Sequence, residues 1–280
     1  MAGCYHYHEI ADSMNTHPDI RYYYINLERA TERREEAEKQ AAAFGIQLER
    51  IDAVAGKDLD IESLPAYDGG RRAAEFAAQL SPNQHACIMS HLKALQAFVD
   101  SGATYGVIME DDLQLHPQFN EGISWLTEHT SGWEALKLWT GDGKIYPLHK
   151  PLKDCPWKIV FPKKLPWVAV GNIYTRKGAM GVLNGFKRYW LGYDAQWAWA
   201  TLITEDIPCC GISPSLVVSS DPKNEKSTID AEANSRVAAF IKQKKEQTWK
   251  QYIFHRLCVW KMACGKLRMR ARMKSLLKFR

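Results

Sequence analysis

The chain predicts an α/β fold with a mixed, mostly parallel central sheet, followed by a helical, basic C-terminal tail. Three observations carry that expectation. Apolar, β-branched stretches alternate with helix-type stretches along most of the chain. The first strand, helix and second strand fit within about 35 residues, the length of a βαβ unit. The end of the chain changes character, becoming strongly basic and helical in composition. At 280 residues, 46% hydrophobic and 25% charged, the protein can bury a sizeable core. That balance excludes a disordered chain, a collagen-like repeat and a disulfide mini-protein.

The elements follow in order. Arg21 to Leu27 is β-branched and aromatic and reads as a buried strand. Thr31 is the expected N-cap of a helix that runs to Phe44 and stops at Gly45. Gln47 to Val54 is a second strand. Lys57 to Gln79, with Pro65 and Gly69-Gly70, reads as a surface excursion. Ser81-Pro82 opens a helix to about Val99, with proline at its first position. Thr104 to Met109 is the next strand, and Pro117 to His129 a helix. Ala135 to Trp139 is a short strand. Gly141 to Pro166 holds five prolines and reads as loop. Trp167 to Thr175 is a strand, Arg176 to Phe186 a helix and Tyr193 to Thr204 a short helix. Ile207 to Val218 is extended. The expected organisation is an N-terminal extension (1–20), a catalytic domain (21–236) and a basic amphipathic tail (237–280).

The formal charge of +5 averages two unlike parts. From Lys242 to Arg280 there are 13 Lys and Arg against one acid, Glu246, leaving 24 bases and 31 acids in the rest. In the tail, Trp249, Tyr252, Ile253, Leu257, Trp260, Cys264, Leu267 and Ala271 fall at steps of three or four. That is an apolar stripe flanked by cations, suited to an anionic membrane surface. Nucleic acid is the other usual partner of so basic a segment, and the aromatic anchors argue against it. A helix docked on the body with a solvated basic face is the plainer reading. No apolar run is long enough to span a membrane. Met1 to Asp19 lacks the basic start and apolar centre of a secretory signal. The seven cysteines contain no C-x-x-C pair, so a reduced, cytoplasmic protein is expected, with cysteine acting mainly as a small buried residue.

The richest functional signal is Val107-Ile108-Met109-Glu110-Asp111-Asp112. An apolar strand delivers three carboxylates at its C-terminal end, where open α/β sheets bind ligands. Adjacent acids repel and need a cation or hydrogen-bond donors. Side chains alternate in an extended segment, so Glu110 and Asp112 share a side and could hold Mg²⁺ or Mn²⁺ together with a diphosphate. A solvated acidic turn is the competing reading. Arg29 and Arg33, four apart after the first strand, suit a phosphate-bearing ligand, or a solvated face paired with Glu32, Glu35 and Glu36. His91 follows Ser90 in the helix after Pro82, with Lys93 close behind, and is a ligand contact or a core histidine. Tyr189, Trp190, Tyr193, Trp197 and Trp199 surround Asp194, and offer either flat faces to a sugar or packed core. No G-x-S-x-G, H-E-x-x-H or Walker-type loop is present.

In this order the pieces resemble glycosyltransferase family 25, the lipooligosaccharide glycosyltransferases of bacterial envelopes. Tyr24-Ile25-Asn26-Leu27 with Arg29 and Arg33 looks like the family's opening, and Gly45-Ile46 with Ile51-Asp52-Ala53-Val54 and Gly56 like its second motif. Cys87 to His91 resembles "GC-x-x-SH", with Ala86 where glycine is usual and His85 where an acid is common. Ile108 to Asp112 resembles "LEDD". Gly171 to Ala179, Tyr193-Asp194, Ile212 to Val218 and Ser227-Thr228-Ile229 complete the series, with Ser219 in place of a frequent glutamine.

The resemblance implies a GT-A-like nucleotide-sugar-binding fold and an inverting, metal-dependent transfer, with UDP-galactose the commonest donor. It also implies a lipooligosaccharide or other saccharide acceptor, in the cytoplasm and peripheral to the inner membrane. On it, Asp112 with Glu110 would hold Mn²⁺ or Mg²⁺, with Asp111 beside them. Arg29, Arg33 and Lys93 would meet the diphosphate. Asn26, Leu27, Asp52 and Ala53 would hold the nucleoside, and Ser90, His91, Gly171 and Asn172 would complete the donor site. Asp194, an acid among aromatics where a raised pKa is expected, would be the general base. A nucleotidyltransferase, which also uses acids at a strand end, and a non-catalytic nucleotide- or saccharide-binding protein are the competing functions.

Overall fold

The computed structural model describes residues 18–141, 143–163, 169–220 and 248–279. Ser227-Thr228-Ile229, the start of the strand expected at Trp167 and nearly all of the N-terminal extension lie outside the described residues.

The first unit is β1 (Ile20–Asn26), α1 (Thr31–Ala43) and β2 (Leu48–Asp52). Thr31 is the first residue of α1 and not its cap; Ala30 holds that position without a side-chain bond. Arg29 therefore precedes the helix, so Arg29 and Arg33 do not share a helical face. After two 3₁₀ turns comes α2 (Gly69–Glu75), which the Gly69-Gly70 pair concealed. Asp68 caps it by accepting from the Arg71 amide. The helix α3 (Pro82–Ser101) starts with a full capping box between Ser81 and Gln84 and ends at Gly102, whose φ of +77° favours glycine. Next are β3 (Tyr105–Glu110), β4 (Leu113–Leu115), α4 (Phe119–His129), β5 (Thr130–Ser131) and β6 (Ala135–Lys137).

The proline-rich stretch read as loop contains two strands, β7 (Ile145–Pro147) and β8 (Lys158–Pro162). β7 is the edge strand and β8 lies just inside it, between β7 and β10; Pro147 and Pro162 are the last residues of their strands. They are followed by β9 (Gly171–Thr175), α5 (Arg176–Gly185) and α6 (Tyr193–Trp199), which runs into a π-helical turn, Ala200–Thr204. The extended segment divides into β10 (Cys209–Ser213) and β11 (Val217–Ser219). The chain closes with α7 (Trp249–Leu276) and β12 (Lys278–Phe279).

Eight strands form one mixed sheet in the order β2-β1-β3-β9-β6-β10-β8-β7. The β2-β1-β3 part is parallel, and β9 runs antiparallel between β3 and β6. β1 leads through α1 to β2 on one side, and β2 returns through α2 and α3 to β3 on the other. The C-terminal ends of β1 and β3 thus flank a topological switch point, the place where open α/β sheets bind ligands.

The tail helix is built into the core along one side. Met269 and Met273 are fully buried, and Gly265 lies against Leu202 and Ile203. Arg268 donates to the Leu202 carbonyl at 2.7 Å, and Arg272 pairs with Asp206 at 2.6 Å. β12 adds an antiparallel pairing with β5. The apolar stripe read from the sequence faces outward instead, with Trp249 73% and Trp260 63% exposed. Among the described residues, no helix is long and apolar enough to cross a membrane.

Candidate functional site

The β1 end of the switch point is a clamp around Asn26, which is fully buried. Its Nδ2 donates to Asp111 Oδ2 at 2.8 Å and to the Ala30 carbonyl at 3.1 Å. Arg33 reaches Asp111 Oδ1 at 3.1 Å. Asp111 therefore ties the end of β3 to β1 and α1. Burial still holds its carboxyl above the ordinary value, against the lowering by Asn26 and Arg33. Arg29 is exposed in the turn before α1, and Leu27 is half-buried.

The end of β2 is held by its backbone. The Ala53 amide donates to the Asn26 carbonyl at 3.0 Å. Lys93 Nζ donates to the Asp52 carbonyl at 3.0 Å, and the Asp52 carboxylate pairs with Arg50. Ser90 Oγ accepts from the Val54 amide at 2.9 Å and donates to the Ala86 carbonyl. Ser90 and Lys93 thus hold the end of β2 and the loop that follows it.

On the other side of β3 lies a box of buried polar groups. β9 aligns Asn172 with Ile108 on β3 and with Lys137 on β6. Cross-strand partners share a face, and so do alternate residues, so Glu110, Asn172 and Lys137 project to the same side. Gly171 pairs with Met109 and packs against Val217. Helices α3 and α6 bring His91 and Asp194. His91 Nε2 lies 3.0 Å from Glu110 Oε1, and the His91 ring stacks on Tyr193 with centroids 3.9 Å apart. Lys137 Nζ sits 3.6 Å from Asp194 Oδ1 and over the Trp197 ring.

The box leaves hydrogen-bonding capacity unused. Both side-chain polar atoms of Asn172, Nδ1 of His91 and Oδ1 of Asp194 are buried without a hydrogen bond, as is Oδ1 of Asp112 outside the box. Native interiors rarely leave such groups unmet, and their concentration at a switch point marks a place for a polar ligand. The charges agree. Burial pushes the Asp194 carboxyl up to about 6; Lys137 opposes this and Glu110 reinforces it. Burial also lowers the Lys137 pKa, while Asp194 and Glu110 hold it up.

Asp112 lies just beyond the strand end. Ser219 Oγ donates to its Oδ2 at 2.8 Å, which gives the serine that replaces the family's glutamine a direct contact. Burial, then repulsion from Glu110, pushes Asp112 up to about 6. A strained acid with one bare oxygen beside a second carboxylate suits a hard divalent cation. The residues present fit Mg²⁺ or Mn²⁺ on Asp112 and Glu110.

Two expectations change. The five aromatics around Asp194 are all buried and form packed core, so their faces are closed to a sugar. Glu110 also meets His91, so a cation held with Asp112 would share the Glu110 carboxylate with the imidazole. Sequence reasoning missed Lys137. The signal was present: a lysine between Leu136 and Leu138 in a fully apolar strand needs a buried anion. Its partner, 57 positions away, was not legible.

These features define a GT-A-like α/β fold with a cluster of acids at its switch point. The chain belongs to glycosyltransferase family 25. The model of "Glycosyltransferase family 25 (LPS biosynthesis protein)" matches residues 19–165, just over half of the chain, ending before Asn172 and Asp194. Similar curated proteins share the family name. A "Glycosyltransferase 25 family member" of Drosophila melanogaster is 29% identical over 172 residues, 58% of this chain and 27% of that protein. Its counterpart in Drosophila pseudoobscura pseudoobscura is 30% identical over 170 residues, 58% of this chain and 26% of its own. One from Anopheles gambiae is 28% identical over 123 residues, 41% of this chain and 20% of the relative. The chain thus spans between a fifth and just over a quarter of the length of these relatives.

Proposed function

We propose that this chain is an inverting glycosyltransferase that moves a hexose, galactose from UDP-galactose in the leading case, onto a lipooligosaccharide core or similar saccharide. The observation that carries the reading is Asp194: a carboxylate with a raised pKa beside unmet polar groups, across the switch point from the Asp111–Asp112 cluster. The donor, the acceptor class and the inverting course rest on the family resemblance.

In this reading the uridine lies along the β1 and β2 ends, against Asn26, Leu27 and the Asp52-Ala53 turn. Arg29, exposed at the rim, meets the diphosphate, while Arg33 holds Asp111 in place. Asp112 and Glu110 would hold Mn²⁺ or Mg²⁺, which would supply charge neutralisation for the diphosphate leaving group. Asp194 takes the proton from the acceptor hydroxyl, and a base with a pKa near the working pH does this efficiently. Lys137 keeps Asp194 ionised until that moment. Asn172 orients the sugar through its unused amide.

The outward face of α7 supports an anionic membrane surface as partner, peripheral to the inner membrane on its cytoplasmic side. Most of the exposed large apolar side chains among the described residues lie on this helix, which carries no acid. Exposed apolar surface on this scale marks an interaction site, and no nucleic acid is expected there. Flotation with phosphatidylglycerol vesicles tests it. Trp249→Glu with Trp260→Glu should abolish binding at unchanged melting temperature; unchanged flotation would refute it.

The reaction is tested by incubating the protein with Mn²⁺ and a panel of nucleotide sugars, with and without a lipooligosaccharide or lactose-type acceptor. Acceptor-dependent UDP release with a new glycoside is the expected result. In a parallel incubation with added pyrophosphate, conversion of a nucleotide sugar to nucleoside triphosphate and sugar 1-phosphate would mark a nucleotidyltransferase, and no turnover with any pair would leave a binding protein.

A further inference from the structure

We propose that Cys87, His91 and Glu110 form a second cation site, suited to a borderline-soft ion such as Zn²⁺, next to the hard-cation position at Asp112. Cys87 and His91 are four apart on α3, so they lie on one face a single turn apart. Glu110 meets them from the end of β3. One ligand atom from each, thiol sulfur, imidazole nitrogen and carboxylate oxygen, all lie within 4.8 Å of one another. Among the described residues, this is the group of His, Cys, Asp and Glu side chains close enough to share an ion.

The distances are near those a tetrahedral site needs. Bonds of about 2.0–2.3 Å to zinc place ligand atoms roughly 3.3–3.8 Å apart. His91 Nε2 and Glu110 Oε1 already lie 3.0 Å apart. Closing the group takes a movement of about 1 Å, within reach of rotation about the first side-chain torsion of a cysteine. The imidazole is preorganised, because His91 is buried and stacked on Tyr193. Three protein ligands leave a fourth position open.

Ligand type then separates the two ions. A thiolate and an imidazole select Zn²⁺ over Mg²⁺ or Mn²⁺, which prefer oxygen. Asp112 offers oxygen alone. Glu110 belongs to both sets, so the two ions compete for it. Lys137 is the nearby cation that opposes a metal here, and Asp194 balances its charge. Binding displaces the thiol proton to solvent and changes no oxidation state. Zn²⁺ binding stands apart from the transferase reading; only its consequence, loss of transfer as Glu110 is drawn from the hard-cation site, rests on that reading.

Cobalt is the probe. The full chain, reduced and free of other metals, is titrated with Co²⁺ and followed by near-ultraviolet absorption, where a thiolate–cobalt charge-transfer band reports sulfur ligation. The band is expected in the wild type, in Cys264→Ser and in Asp112→Asn, and lost in Cys87→Ser. A band that survives Cys87→Ser, or none in the wild type, overturns the site. A second measurement needs no variant: Zn²⁺ should slow alkylation of Cys87 in the wild type by about ten-fold or more, since only an unligated thiolate reacts, and Mg²⁺ should not. Equal alkylation with and without Zn²⁺ overturns it as well. In the transfer assay with Mn²⁺, Zn²⁺ should inhibit the wild type and spare Cys87→Ser. Equal inhibition of both would overturn the competition. Absence of transfer altogether would count against the proposed reaction while the cobalt band still decides the site.

Discussion

Replacing Asp112 with asparagine should make the metal-free protein more stable while destroying its cation response. Asp112 has its carboxyl pushed from 3.8 up to about 6, first by burial and then by Glu110. The folded state therefore holds this proton more tightly than the unfolded chain. Stability falls as pH rises from about 4 to about 6, and the full penalty stands above that window. A shift of about two units at about 1.4 kcal/mol each sets a ceiling of about 3 kcal/mol. Glu110 shares part of that cost, so a gain of about 1–3 kcal/mol is expected for Asp112→Asn at pH 7. Asparagine is the same size, and its Oδ1 can still accept the Ser219 hydroxyl. In EDTA at pH 7 the variant should melt about 2–12 °C higher, at about 2–4 °C per kcal/mol for a chain of this size. At pH 4 the two should converge, because Asp112 is then protonated. Added Mn²⁺ should raise the melting temperature of the wild type and not of the variant. A variant that is less stable in EDTA at pH 7, or that Mn²⁺ stabilises as much as the wild type, would refute the reasoning.

Three further outcomes follow from the same site and its supports. Asp194→Asn should lower kcat by about 10²–10⁴-fold, the usual range for losing a general base, with UDP-sugar affinity retained; the wild-type rate should rise with pH through about 6 as Asp194 loses its proton, and an unchanged kcat in the variant would remove its assignment. Lys137→Met removes the cation that holds Asp194 ionised, so the acid limb of the kcat profile should move to higher pH; a profile that superimposes on the wild type would refute the coupling. Gly265→Val places a carbon 2.7 Å from Ile203 Cδ1 and 3.1 Å from the Leu202 carbonyl, which should cost about 1–3 kcal/mol in chemical denaturation; unchanged stability would mean that α7 is not docked there.

Local signals carried much of the fold. Ser81-Pro82, the Gly102 stop and the apolar run to Met109 were legible because capping and hydrophobic patterning act over a few residues. The helix at Gly69-Gly70 was hidden, because its cap, Asp68, is also held by Arg188 and by a backbone bond to Tyr189, far along the chain. The strands among the prolines were hidden because Pro147 and Pro162 stand at the ends of strands, and no local pattern announces where those ends fall. The apolar stripe of α7 was legible, but not its direction. The narrow seam of Gly265, Met269 and Met273 faces inward, since small and flexible residues fit the groove at Leu202 and Ile203.

The sequence by itself determined an alternating α/β core, a carboxylate cluster at the end of a buried strand and a basic amphipathic tail. Each is written in neighbouring residues, where propensity, alternation and charge count directly. Only the tertiary structure decided how those acids are used. Asp111 is bound to Asn26 and Arg33, Glu110 to His91, and Asp112 to Ser219, while Asp194 finds Lys137 across the sheet. A carboxylate's chemistry depends on burial and on partners within about 4 Å, and here strand order supplies those partners from distant positions in the chain.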